Sequence, residues 1–187
     1  RSRAGRRARR RRHAAARPPE TAAVHPNDNR TPAGVRRGDT LFLRLVVTRA
    51  RWYPQADSGP PITVEAIGEE GKPPQIPAPL IRVRTGTHIV ASVRNALADS
   101  SITVIGLQTR PAAAWDSVRI TPGGTRTIRF TAGPPGTYEY TMLTGPVNPG
   151  AYERETTGGA FVVDSTGART DDRIFVMSEW LEMPSGP

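Results

Sequence analysis

Nineteen prolines and eighteen glycines punctuate this 187-residue chain. Proline breaks a helix interior and glycine weakens it, so the windows left between them are too short for long helices and suit strands joined by turns. An all-β fold is therefore expected. The apolar residues support it, since they alternate. A β-rich run, TLFLRLVVTRARWYP, starts at Thr40, and a short strand is expected around Ile62 to Ile67. Pro73, Pro74, Pro77 and Pro79 hold the next loop extended. Two alternating runs then flank Thr85-Gly86-Thr87. In the second, Ile89, Ala91 and Val93 fall on one face and Val90, Ser92 and Arg94 on the other, as in half-buried antiparallel strands. Val118 and Ile120 precede the turn Pro122-Gly123-Gly124, with Ile128 and Phe130 after it. Gly133-Pro134-Pro135-Gly136 makes another turn before Tyr138 and Tyr140, and Ala160 to Val163 and DRIFVMSEWLE add further strands. About seven to nine short strands with regular turn punctuation predict a Greek-key β-sandwich. The expected organisation is a leader over residues 1–38, the sandwich over 39–165, and a linker strand over 166–187 leading towards a following domain.

The formal charge of +9 is concentrated at one end. Nine arginines and no acid fall within residues 1–17, and the remainder has equal numbers of basic and acidic residues. Residues 1–38 have almost no aromatic or β-branched side chains and cannot bury enough to offset their ordering entropy, so a disordered Arg-rich tail is expected. It reads as a solvated leader or spacer, or alternatively as an arm contacting polyanions through its guanidinium groups. Asn29-Arg30-Thr31 matches a glycosylation sequon. The chain has no cysteine, hence no disulfide and no thiolate. No apolar run approaches the ~20 residues that span a bilayer, and no apolar h-region follows the arginines.

Side chains able to carry chemistry are scarce. The histidines are His13, His25 and His88, and no two share a spacing that would bring both to one metal through local structure. Neither a phosphate-cradling glycine loop nor a G-x-S-x-G elbow is present. Glu153 and Glu155 could share a strand face, and Glu69-Glu70 and Asp171-Asp172 are adjacent pairs, but each lies among turn residues or beside arginine and reads as solvated loop charge. Phe130, Tyr138 and Tyr140 alternate as core residues do, which leaves no stacking platform for single-stranded nucleic acid.

Several segments, in order, resemble the first plastocyanin-like domain of multicopper oxidases. QIPAPLIRVRTGTHIVASVRNAL is similar to the family's Pro-rich loop, strand, Gly turn and strand ending in Asn-x-Leu. SITVIGLQTRP corresponds to the strand ending in a His-x-His pair, and PGGTRTIRFTAGPPGTYEYTML to the segment running through Gly-Thr-Tyr-x-Tyr into a second pair. GGAFVVD and DDRIFVMSEWLE resemble the strands that follow, so the likeness covers roughly residues 75–182.

The resemblance implies a cupredoxin-like Greek-key β-sandwich, a copper-dependent oxidoreductase as the complete protein, further cupredoxin domains in cis or as separate subunits, and a periplasmic or secreted location. In the family the His-x-His pairs supply imidazoles to a trinuclear copper cluster. Here their places are taken by Ile105-Gly106-Leu107 and Thr141-Met142-Leu143. Ile105, Leu107 and Leu143 have no donor atom, Thr141 has a neutral hydroxyl, and the Met142 thioether is alone on the opposite face. A blue-copper site needs a cysteine that is absent. No catalytic, cofactor-binding or metal-ligating residue is therefore expected in this chain, and its expected role is that of a scaffold or docking domain. The alternative is a non-catalytic sandwich whose arginine tail binds polyanions.

Overall fold

The computed structural model describes residues 22–55, 58–108, 117–145, 157–168 and 171–178. They form an all-β sandwich. The first sheet contains β1 (His25–Pro26), β2 (Val35–Arg37), β3 (Thr40–Trp52), β4 (Ile62–Glu69), β5 (Gln75–Ile76), β7 (His88–Asn95) and β10 (Thr125–Thr131). The second contains β6 (Ile81–Arg84), β8 (Ile102–Ile105), β9 (Val118–Ile120), β11 (Gly136–Thr144) and β12 (Thr157–Asp164). Their orders are β1-β5-β4-β3-β7-β10, with β2 also on β3, and β6-β12-β11-β8-β9.

Inner faces follow the alternation. Leu43, Leu45, Val47, Ile89, Ala91 and Val93 from the first sheet meet Ile81, Val83, Ile102, Val104, Tyr140, Met142 and Phe161 from the second in one buried core. Phe130 packs edge-on to Phe161, with ring centroids 5.9 Å apart. The Tyr140 hydroxyl, fully buried, donates to the Pro79 carbonyl at 2.6 Å, and burial pushes its ionisation far above the ordinary tyrosine range. Tyr138 donates to the carbonyl of Pro134, four residues upstream, at 2.9 Å. This is the tyrosine corner of Greek-key sandwiches.

Strand partners differ from expectation at the tight turns. The runs flanking Thr85-Gly86-Thr87 do not form an antiparallel pair. β6 lies parallel to β12 in one sheet, and β7 lies parallel to β3 in the other. The turns after β9 and β10 likewise cross between the sheets. Alternation assigns each strand an inner face, and that face is equally satisfied by a strand across the sandwich or beside it.

The expected leader is also shorter among the described residues. Residues 22–38, assigned to the disordered leader, belong to the sandwich: Val24 donates to the Arg51 carbonyl at 2.8 Å, β1 pairs with β5, and Ala33 donates to Leu80 at 2.7 Å and is buried in the core. Backbone pairing with distant strands supplies the order that composition could not. Residues 1–21 lie outside the described residues. At the other end, the strand expected from DRIFVMSEWLE joins neither sheet within 171–178. Instead Ile174 and Val176 pack over Leu80, Ala160 and Val162 on the outer face of the second sheet. Arg82 pins this segment, donating to both carboxylate oxygens of Asp164 at 2.8 Å and to Asp172 at 2.7 Å.

The outward positions of β2, β3, β7 and β10 line up in register. Their rows are Arg37-Thr40-His88-Thr131, Val35-Phe42-Val90-Arg129, Arg44-Ser92-Thr127 and Arg94-Thr125.

Candidate functional site

The second sheet brings the two suspected ligand segments side by side. β8 and β11 are antiparallel, with Thr141 opposite Ile105, Met142 opposite Val104 and Leu143 opposite Thr103. Ile102, Val104 and Met142 face the core, so alternation turns Thr103, Ile105, Thr141 and Leu143 to the other face as a four-membered square. Thr103 and Leu143 are buried, with 5% and 8% exposure. Ile105 and Thr141 are half-buried.

This geometry corrects the first pair by two residues. Two side chains converge on one site only if they share a strand face, and Ile105 and Leu107 do not. The strand ends at Ile105, Gly106 takes φ +85°, and Leu107 enters the main core. A Cβ on Gly106 would stand 2.4 Å from the Glu139 carbonyl oxygen and 2.8 Å from the Tyr140 Cα. Only a glycine lets the chain turn inward this close to β11. The position missed from the sequence is Thr103. The available signal was Ile102 and Val104 alternating inward, with the glycine marking the strand end.

Polar contacts gather at the end of β11 and tie it to β12 and to β4 of the first sheet. Thr141 donates to the Thr157 carbonyl at 3.3 Å, while the Thr144 and Thr157 hydroxyls bond to the carboxylate and backbone carbonyl of Glu65. Arg49 lies 4.0 Å from Glu65 and 2.9 Å from Asp99. The Arg49 hydrogen bond, with a second from Ser100, holds the Asp99 carboxyl below its ordinary range.

The other candidates lie elsewhere. His88 is exposed on the first sheet, its Nδ1 3.1 Å from the Thr131 hydroxyl, and His25 sits in β1. His13, Glu153 and Glu155 lie outside the described residues. Glu69 is more than solvated charge, since it accepts from the Gly34 amide at 2.9 Å and pairs with Lys72. Glu70 pairs with Arg44 and Asp172 with Arg82. Met142 is a core residue.

Imidazole suits copper, and the square offers none. Thr103 and Thr141 offer neutral hydroxyls, and Ile105 and Leu143 offer hydrocarbon. Among the described residues no three His, Asp or Glu side chains are grouped to hold a metal.

The family description "multicopper oxidase" matches residues 67–167, more than half of the chain. Among solved structures, a multicopper oxidase from Campylobacter jejuni superposes with a TM-score of 0.50 at 18% identity, covering 79% of this chain and 33% of that one. A second multicopper oxidase gives a TM-score of 0.52 at 20% identity, covering 80% of this chain and 53% of that one. The chain thus spans between a third and about half of these proteins. No curated protein sequence matches. The all-β sandwich agrees with these matches, and the chain belongs to the multicopper oxidase family as a cupredoxin-like domain.

Proposed function

We propose that this chain is a scaffold and docking domain of a multicopper-oxidase-like protein and holds no copper through its own side chains. The square of Thr103, Ile105, Thr141 and Leu143 carries the proposal: it occupies the face where paired strands would present imidazoles, and its donor set is wrong for copper. The docking role is supported by residues 171–178. Ile174 and Val176 are turned inward there, whereas Phe175 and Met177 stand 84% and 97% exposed. Aromatic and methionine side chains are enriched at interfaces, and a further cupredoxin domain, in cis or as a separate subunit, is the proposed occupant. A periplasmic or secreted location is part of the same reading, supported by the family match.

Two measurements test this reading. Purified chain loaded with excess copper and desalted should retain none by elemental analysis, and one copper or more per chain would overturn it. In the isolated chain, dilute peroxide should oxidise Met177 and spare the buried Met142. Met177 should become protected in the native assembly, and equal reactivity in both states would remove the docking assignment.

A further inference from the structure

The outward positions of β2, β3, β7 and β10 carry four arginines, Arg37, Arg44, Arg94 and Arg129, and no carboxylate. This is notable because basic and acidic residues balance outside residues 1–17. Charge is therefore sorted onto this face. Its border carboxylates are Glu70, 3.2 Å from Arg44, and Asp39 in the β2–β3 turn. In the second row, Val35 on the edge strand β2 and Phe42 beside it remain 59% and 41% exposed, and the remaining outward residues are mostly Ser and Thr hydroxyls.

We propose that this face binds a linear acidic polysaccharide. Charge complementarity requires a polyanion, because strands ~4.8 Å apart present the guanidinium groups as a flat array suited to repeating anions. The ring chemistry decides between kinds of polyanion. The rings in these rows are Phe42 and the His88 imidazole: the Arg37 guanidinium lies 5.7 Å over Phe42, and His88 Nδ1 is 3.1 Å from the Thr131 hydroxyl. Two separate rings, one of them capped on one face, do not make the succession of aromatic side chains on which single-stranded nucleic acid stacks its bases. Sugar hydroxyls, by contrast, can exchange hydrogen bonds with the Ser and Thr rows between the arginines.

The arginines of residues 1–17 attract the same anions, so the test reads individual side chains in the full chain. Arginine modification by phenylglyoxal, mapped by mass spectrometry, is compared with and without a heparin oligosaccharide at physiological salt. Arg94 and Arg129 should be protected about fivefold, whereas Arg84 and Arg119, exposed in the second sheet, should not change. A R94E/R129E variant should bind heparin about tenfold more weakly than the charge-matched R84E/R119E. Protection confined to residues 1–17, or equal at Arg84 and Arg119, would overturn the proposal. So would equal protection of Arg94 and Arg129 by a single-stranded oligonucleotide of matched charge.

Discussion

Replacing Gly106 by alanine should be among the most damaging single-methyl additions in this sandwich. Its φ of +85° costs an alanine roughly 1–2 kcal/mol of backbone strain. The new methyl would also stand 2.4 Å from the Glu139 carbonyl oxygen and 2.8 Å from the Tyr140 Cα. Both are backbone atoms of β11, so no side-chain rotation relieves the clash, and overpacking of this kind costs about 1–3 kcal/mol. The sum is about 2–5 kcal/mol, a large part of a stability of ~5–15 kcal/mol. With a urea slope near 2 kcal/mol/M, the unfolding midpoint should fall by about 1–2.5 M. Gly86 is the control, because its φ is +81° and a Cβ there meets nothing within 4 Å. Gly86→Ala therefore incurs backbone strain alone, with a midpoint shift of about 0.5–1 M. Any loss of unfolded-state entropy from the added methyl affects both variants alike. If Gly106→Ala shifts the midpoint no further than Gly86→Ala, the close approach does not shape the end of β8 and the reasoning fails.

Tyr140→Phe removes the buried donor to Pro79 and should cost about 1–3 kcal/mol in urea unfolding, whereas Tyr138→Phe, at a more exposed bond, should cost about 0.5–1.5; equal losses would contradict the burial argument. The Arg82 hydrogen bond holds the Asp172 carboxyl below its ordinary range, as Arg49 does for Asp99. A carboxyl depressed on folding contributes stability that is present above its unfolded pKa and lost as pH falls through its folded one, so Tm should drop below about pH 4. Asp172→Asn should lower Tm at neutral pH and converge with wild type in acid, and parallel curves would refute that linkage. The Asn29 sequon is closed by the fold: Asn29 is 7% exposed and donates to the Ile174 carbonyl at 3.3 Å. Intact-mass analysis of folded chain exposed to an oligosaccharyltransferase should find no glycan, and a modified Asn29 would show that this contact opens readily.

The strands were legible where one face was buried. Ile89, Ala91 and Val93 point inward as their alternation requires, and so do Tyr140 and Met142. What alternation leaves open is the neighbour. Ile81 and Val83 reach the same core as Ile89 from the opposite sheet, so alternation alone does not show that the Thr85-Gly86-Thr87 turn joins two sheets and not an antiparallel pair. The ordering of residues 22–38 depends on bonds to Arg51, Pro74 and Leu80, which no local window contains. At the candidate site the second pair was legible, because Tyr138 and Tyr140 set the phase of β11 through Leu143. The first was displaced because Gly106 breaks the alternation that would have joined Ile105 to Leu107. The lack of imidazoles, by contrast, is a matter of residue identity and was open to reading throughout.

If β8 and β11 keep the arrangement of the family's ligand pairs without the ligands, imidazoles placed there should bind copper. Substituting histidine at Thr103, Ile105, Thr141 and Leu143 together, and measuring copper per chain after loading and desalting, tests it most directly. The account predicts no retained copper in the wild type and retained copper with an imidazole ligand signature in the folded four-histidine variant. Copper held by the wild type, or none held by a variant whose β-sheet circular dichroism and cooperative unfolding are intact, would contradict it.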